Sequence, residues 1–254
     1  GSSLLQLNDG DADLSRRMIP YMMPGLSFRE FLRFDQGVEI EPVSLKELLG
    51  SADEFCSDVK CKCLPVKLFK QYLQGGFYPF YFENRKTYPV QVENVMNYII
   101  DYELPAFRNM DVGNTRKLKA LLHILAHLVP YEIDVSKLSR ATSMERTTIM
   151  RYLKNMEEAK LICRLFQNLD TISDLQKPDK ILLDNPNLLY VLSDKVPEIG
   201  TARETFFCNQ LISAGHKVEY GGLKTGDFKI DGDVVIEVGG AEKGYEQIRN
   251  EKNA

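Results

Sequence analysis

The sequence of 254 residues predicts a multidomain α+β protein. Up to about residue 110, apolar residues recur at helical spacing and do not alternate as they do in strands. Residues 111–195 have the pattern of three helices followed by a two-stranded ribbon. From about residue 196, one helix and several short alternating segments predict a smaller α/β core.

Composition limits the classes to which the protein can belong. Apolar residues make up 44% and charged residues 27% of the chain, as in ordinary globular proteins. No apolar run approaches the length of a bilayer span, so we expect no membrane partner. Five cysteines without a disulfide framework favour a reduced, cytoplasmic setting. A net charge of −4 excludes a protein that is basic all over, so any nucleic-acid surface must be local.

The segment 29–110 is predicted to be a helical lid or linker region. Its first helix begins in the stretch LSFREFLRF, where Ser27 and Glu30 have the spacing of a capping box. A later helix, in CLPVKLFKQYLQGG, is predicted to end at Gly75 and Gly76, because glycine readily adopts the backbone conformations that stop a helix.

Residues 111–195 are predicted to form a winged helix-turn-helix. The first helix carries leucines at helical spacing, and the third carries Ile149, Leu153 and Met156 at positions i, i+4 and i+7. A tight turn joins the last two helices, and the strands in ICRLFQN and KPDKILLDN complete the motif.

The third helix of this motif is a candidate DNA-reading helix. Residues 111–170 contain ten Lys and Arg against seven Asp and Glu, a local surplus of three positive charges. Winged helices also act as docking surfaces for proteins or as spacers, and these alternatives stay open beside contact with double-stranded DNA. The polar side chains off the apolar stripe are the candidate DNA contacts: Arg146, Thr148, Arg151, Lys154 and Asn155.

Residues 196–254 are predicted to form a restriction-endonuclease-like core. In GDFKIDGDVVIEVGG, Asp227 and Glu237 fall on neighbouring strands, and Glu204 belongs to the preceding helix. Hard carboxylate oxygens suit Mg²⁺, so that Asp227 and Glu237 are candidate metal ligands and Glu204 is a candidate third acid.

The lysine that such nucleases carry two residues after the second acid is absent. Gly239 occupies that position, and Lys243 on the next predicted helix is the candidate replacement. A nuclease needs a positive group to stabilise the charge that develops during cleavage. The absent lysine therefore favours an inactive core over a Mg²⁺-dependent nuclease.

Two further groups resemble metal sites only superficially. His123 and His127 are four residues apart but lack the glutamate of the H-E-x-x-H motif, which favours a structural role in the leucine-rich helix. Cys56, Cys61 and Cys63 do not have the spacing of a zinc site. The chain contains no G-x-x-x-x-G-K-[ST] loop, so we expect it to bind and hydrolyse no ATP by itself.

Taken in order, these segments resemble the C-terminal region of a family of prokaryotic AAA-type ATPases. The passages RRMIPYMMPGLSFREFL and YLQGGFYPFY resemble segments that follow the ATPase core in that family. Residues 1–28 look like the end of such a core. The resemblance implies nucleotide-sensing roles, in the parent protein, for four residues near the start of the chain: Ser2, Ser3, Arg16 and Arg17.

The resemblance implies that ATP and Mg²⁺ belong to an N-terminal ATPase domain that this chain lacks. That domain would be a partner, and both ends of the chain are expected to be cut from a longer protein. We therefore expect a non-catalytic module that binds DNA or another partner through the winged helix. A Mg²⁺-dependent nuclease and a protein-docking adaptor are the alternatives.

Overall fold

The computed structural model describes residues 22–108, 112–168, 176–222 and 225–240. The chain divides into two compact units, Met23–Pro89 and Val90–Ala254, the second of which also includes Gly1–Met22. Helices dominate, and two small antiparallel sheets lie in the second unit, so the predicted α+β class is confirmed. Ser2, Ser3, Arg16, Arg17 and Lys243 lie outside the described residues.

The unit Met23–Pro89 is helical in its described part. Ser27 accepts the backbone N–H of Glu30 while the Glu30 carboxylate accepts that of Ser27, which confirms the predicted capping box. Gly37, with a φ of 67°, ends the first helix. The helices are α1 Phe28–Gln36, α2 Leu45–Gly50, α3 Ala52–Lys62 and α4 Pro65–Gln74, followed by a 3₁₀ turn at Pro79–Phe82.

An aromatic cluster forms the core of this unit. Phe31 and Tyr72 are completely buried, with ring centroids 5.4 Å apart, and the Tyr72 hydroxyl donates to the Leu26 carbonyl over 2.5 Å. Tyr81 and Tyr88 pack edge to face at 5.1 Å. Such contacts add to the free energy gained from burying the rings themselves. The aromatic residues of the sequence therefore supply a core where long aliphatic stripes are few.

The second unit alternates helices with short strands. Helix α5, Tyr88–Tyr98, begins at the unit boundary and continues through a π-helical turn at Ile99–Glu103. A 3₁₀ turn lies at Val112–Asn114. The other helices are α6 Leu104–Arg108, α7 Thr115–Leu128, α8 Val135–Thr142, α9 Arg146–Glu158, α10 Pro186–Leu192 and α11 Ile199–Ser213. Its strands are β1 Tyr131–Glu132, β2 Ile162–Leu165, β3 Lys180–Leu183, β4 Val218–Tyr220, β5 Phe228–Ile230 and β6 Val234–Ile236.

Each sheet has three antiparallel strands. The first has the order β1-β3-β2, in which Ile162 pairs with Leu183 and Tyr131 with Ile181. All four residues of β3 are buried because this strand lies in the centre. The second sheet has the order β4-β5-β6, in which Phe228 pairs with Ile236.

The described helices include none that is both long and apolar enough to cross a lipid bilayer. The longest of them, α11, has 15 residues, whereas a bilayer span takes about 20 apolar residues.

The carboxyl group of Asp184, directly after β3, gives a prediction of pH-dependent stability. Burial raises its pKa from 3.8 to about 6, although Lys160 and a hydrogen bond from Asn185 oppose the rise. The folded state thus binds this proton more tightly than the unfolded chain does. The free energy of unfolding is therefore expected to fall by about 3 kcal/mol as the pH rises from about 4 to about 6.

Asp184→Asn is expected to remove this contribution and to be more stable than the unmodified chain at pH 7. Urea unfolding of both proteins at pH 4 and pH 7 measures the effect. A stability difference between the two proteins that does not change with pH would contradict the assignment.

Candidate functional site

The turn between α8 and α9 is held by local hydrogen bonds. Asp134 caps α8, since its Oδ1 accepts the backbone N–H groups of Ser136 and Lys137 at 2.9 and 3.1 Å. Ser143 adopts a left-handed conformation with a φ of 52°, and the Ser139 hydroxyl donates to the Met144 carbonyl over 2.7 Å. These contacts fix the turn that directs α9 away from α8.

The α9 helix presents a narrow polar strip. Arg146 and Arg151 are exposed, and Thr148 and Lys154 are half-buried. Asn155 is only 5% exposed and so is not available to touch a base, unlike the other four predicted contacts. The apolar stripe is wider than the sequence predicted, because Met150, Tyr152 and Asn155 are buried in addition to Ile149, Leu153 and Met156.

Charge is distributed unevenly along α9. Near its C-terminus, Glu157 pairs with Arg164 at 2.6 Å and Glu158 with Arg108 at 2.8 Å. Among the described residues, no carboxylate lies within 4.0 Å of the guanidinium of Arg146 or Arg151. The N-terminal half of α9 is therefore the positive, uncompensated part of the helix.

A cavity of about 290 Å³ lies where α8 meets the start of α9. It is lined by Val135, Ser136, Ser139, Arg140 and Arg146. The Ser136 hydroxyl and two guanidinium groups, those of Arg140 and Arg146, are groups of the kind that bind phosphate oxygens in proteins. The Ser139 hydroxyl is already used, because it donates to the Met144 carbonyl.

Two of the predicted nuclease acids lie together, with a lysine that the sequence did not indicate. Lys180, at the start of β3, places Nζ 2.7 Å from Glu204 Oε2 and 3.5 Å from Asp227 Oδ1. All three side chains are at least four-fifths buried. The ring centroids of Tyr220 and Phe228 lie 5.8 and 5.4 Å from Nζ of Lys180, which is close enough for cation–π attraction.

Glu237 is adjacent to Asp227 across the second sheet. Phe228 pairs with Ile236, and Asp227 and Glu237 are the next residues beyond this pair on the two strands. The Val238 N–H donates to Asp227 Oδ2 over 2.9 Å. The predicted neighbouring strands are thus confirmed, although both acids lie one residue beyond the strand ends. Glu204, Asp227 and Glu237 do not bring three ligand oxygens within 4.8 Å of one another in the described structure.

The histidine pair on α7 differs from its predicted structural role. His123 and His127 are both exposed, on the face opposite the buried leucines. Asp194, which follows α10, lies beside them, so that one ligand atom from each of the three comes within 4.8 Å of the others. Asp194 could not be predicted as a neighbour of the histidines, because it is 67 residues from His127 along the chain.

Comparison with known proteins identifies one family. Residues 66–197, just over half of the chain, match a family described as a domain of unknown function (DUF8612). No curated protein and no solved structure matches the chain. None of these findings connects the chain with the ATPases that its sequence resembles. The matched span contains α9, Lys180 and the histidine pair, but neither Glu204 nor Asp227.

Proposed function

We propose that this chain, which belongs to the family described as a domain of unknown function (DUF8612), binds duplex DNA through α9. The observation that carries the proposal is the pair Arg146 and Arg151. Both guanidinium groups are exposed on one helix and have no carboxylate partner within the described part of the chain. Long-range attraction to phosphates is strongest for cations that no neighbouring acid compensates.

The order of the elements supports a winged helix as the framework of this surface. The succession α7-β1-α8-α9-β2-β3, with the sheet order β1-β3-β2, is that of a winged helix-turn-helix. In helix-turn-helix proteins the second helix of the motif enters the major groove, with its N-terminal residues near the bases. Arg146 is the first residue of α9, and Arg151 lies further along the exposed strip.

The cavity beside Arg146 supports a phosphate contact next to the groove. Arg140 and the hydroxyl of Ser136 line it. We therefore assign Arg140 to the DNA backbone, and Arg146 and Arg151 to the phosphates that border the groove. Lys154 contributes less, because Glu158 lies 3.9 Å from its Nζ and compensates part of its charge.

Cleavage of the bound DNA is not part of this proposal. The ammonium of Lys180 already compensates Glu204 and Asp227, and all three groups are nearly buried. A Mg²⁺ ion at Glu204 and Asp227 would have to compete with this internal counter-ion.

The variant Arg146→Ala plus Arg151→Ala is expected to weaken binding to a duplex oligonucleotide by at least about tenfold at low salt. The slope of log K against log[salt] should become shallower by about 2, because each lost phosphate contact removes about 0.9 from it. Fluorescence anisotropy over a series of salt concentrations measures both quantities.

A matched control removes two positive charges from exposed positions elsewhere. Arg29→Ala plus Lys46→Ala, in the unit Met23–Pro89, should leave affinity and slope nearly unchanged. If the two double variants lose affinity equally, the attraction is diffuse and α9 is not the interface. If the unmodified chain does not bind duplex DNA even at low salt, the proposal fails and a protein partner becomes the better hypothesis for this face.

A further inference from the structure

Two histidines and one aspartate converge on the surface of the second unit. His123 and His127 lie one turn apart on α7, with ring centroids 4.3 Å apart, and Asp194 approaches from the segment after α10. One ligand atom from each lies within 4.8 Å of the other two, and no other group of at least three His, Cys, Asp or Glu meets this limit among the described residues.

Both ring nitrogens of His127 lie close to oxygen atoms that accept hydrogen bonds. Its Nδ1 is 2.8 Å from the His123 carbonyl oxygen, which can only accept, so Nδ1 carries a proton. Its Nε2 is 3.1 Å from Asp194 Oδ2, and a carboxylate oxygen is also an acceptor. Two acceptors this close repel each other unless a cation is shared between them. That cation is either a second proton on the ring or a metal ion.

We propose that His123, His127 and Asp194 form a binding site for a divalent transition metal of the zinc class. Imidazole nitrogens and a carboxylate are ordinary zinc ligands, at about 2.0–2.2 Å from the metal. Ligand atoms around a tetrahedral ion at such distances lie roughly 3.4 Å apart, close to the 3.1 Å between His127 and Asp194.

The contact between His127 Nδ1 and the His123 carbonyl fits this role. Metal-binding histidines commonly donate their second ring N–H to a backbone carbonyl, which fixes the tautomer and the orientation of the ring. Here that contact is local, between residues four apart on one helix, so the orientation of His127 does not depend on a bound ion.

The proposed site borders a cavity of about 460 Å³. His127 and Asp194 belong to its lining together with the apolar residues Ala126, Val129 and Leu189. Three protein ligands leave a fourth position of a tetrahedral ion open. That position would hold water.

Calorimetric titration with Zn²⁺ tests the proposal. The full chain is stripped with a chelator, and Cys56, Cys61 and Cys63 are changed to serine because free thiols in the other unit compete for zinc. One ion per chain is expected to bind. His123→Ala, His127→Ala and Asp194→Asn should each lower the affinity by at least about tenfold, with folding checked by circular dichroism.

His216→Ala is the matched control. Its Nδ1 lies 2.7 Å from Asp231 Oδ2, so it forms a histidine–aspartate pair without a second histidine, and its loss should leave the affinity unchanged. The proposal is overturned if the chain with Cys56, Cys61 and Cys63 changed to serine binds no Zn²⁺. It is also overturned if Asp194→Asn retains full affinity, or if His216→Ala loses as much affinity as His127→Ala.

Discussion

Replacing Lys180 with methionine is expected to lower the free energy of unfolding by about 3–5 kcal/mol, because it removes the ammonium group from between two carboxylates in a nearly dry environment. The side chains of Glu204 and Asp227 are only 13% and 16% exposed. The Asp227 carboxylate keeps one backbone N–H donor, from Val238, but loses its ammonium partner. Methionine preserves much of the lysine's length, so the main loss is electrostatic.

Urea unfolding followed by amide hydrogen exchange of peptides from β3 and β5 measures this effect. The chain has no tryptophan, and its two units need not unfold together, so a local probe is preferable to a global signal. Lys137→Met is the matched control, since its Nζ lies 4.0 Å from Asp134 and both side chains are largely exposed. That substitution should cost less than about 1 kcal/mol.

A second substitution separates charge from packing. Adding Glu204→Gln to Lys180→Met removes one of the two negative charges that faced the lost ammonium and should recover part of the lost stability. A loss below about 1 kcal/mol for Lys180→Met would show that water reaches the carboxylates. No recovery in the double variant would show that the lysine acts through its contacts with Tyr220 and Phe228.

Two of the predicted nuclease acids, Glu204 and Asp227, thus make ion pairs with Lys180 that join separate elements of the fold. Lys180 belongs to the first sheet and Asp227 adjoins the second, so their ion pair, together with Glu204 on α11, ties three elements of one unit together. The Tyr220 hydroxyl, which donates to Glu132 over 2.7 Å, makes a second polar link between the sheets.

Local patterns in the sequence were sufficient for most of the elements. They did not predict α10, and the predicted two-stranded ribbon was wrong, because β1 adds a third strand to that sheet. The capping box of Ser27 and Glu30 and the leucine face of α7 depend on residues within one or two turns, so spacing alone predicts them. The pairing of β5 with β6 is also local, because only three residues separate the two strands.

Contacts between residues that are far apart in the sequence could not be predicted from local patterns. Lys180 precedes Asp227 by 47 residues. The nuclease motif places its lysine two residues after Glu237, so it does not indicate a lysine in β3. The one available signal was a lysine at the start of the buried run KILL, where a charge needs a partner. Asn155 was predicted to be an exposed DNA contact but is buried. The spacing of apolar residues shows which way a helix faces the core, but it does not show how much of the helix surface the neighbouring elements cover.

Gly76→Ala is expected to destabilise the unit Met23–Pro89 by about 3 kcal/mol, for two reasons that add. Gly76 has a φ of 131°, a conformation that residues with a Cβ rarely adopt. An added Cβ would also lie 2.5 Å from Cδ2 of Phe31. That ring is completely buried and packs on Tyr72 and Tyr81, so it has little room to move. Thermal unfolding and hydrogen exchange of α1 and α4 peptides report the loss.

Gly37→Ala separates the two causes. Gly37 also has a positive φ, of 67°, but an added Cβ there meets no atom within 4 Å. Only the strained backbone conformation applies, and the free energy of unfolding should fall by about 1 kcal/mol. A larger loss at Gly76 than at Gly37 would show that the φ of 131° and the close approach to Phe31 together cost more than a left-handed conformation alone. Equal losses would mean that Phe31 yields to the methyl group, and that backbone conformation alone selects glycine at position 76.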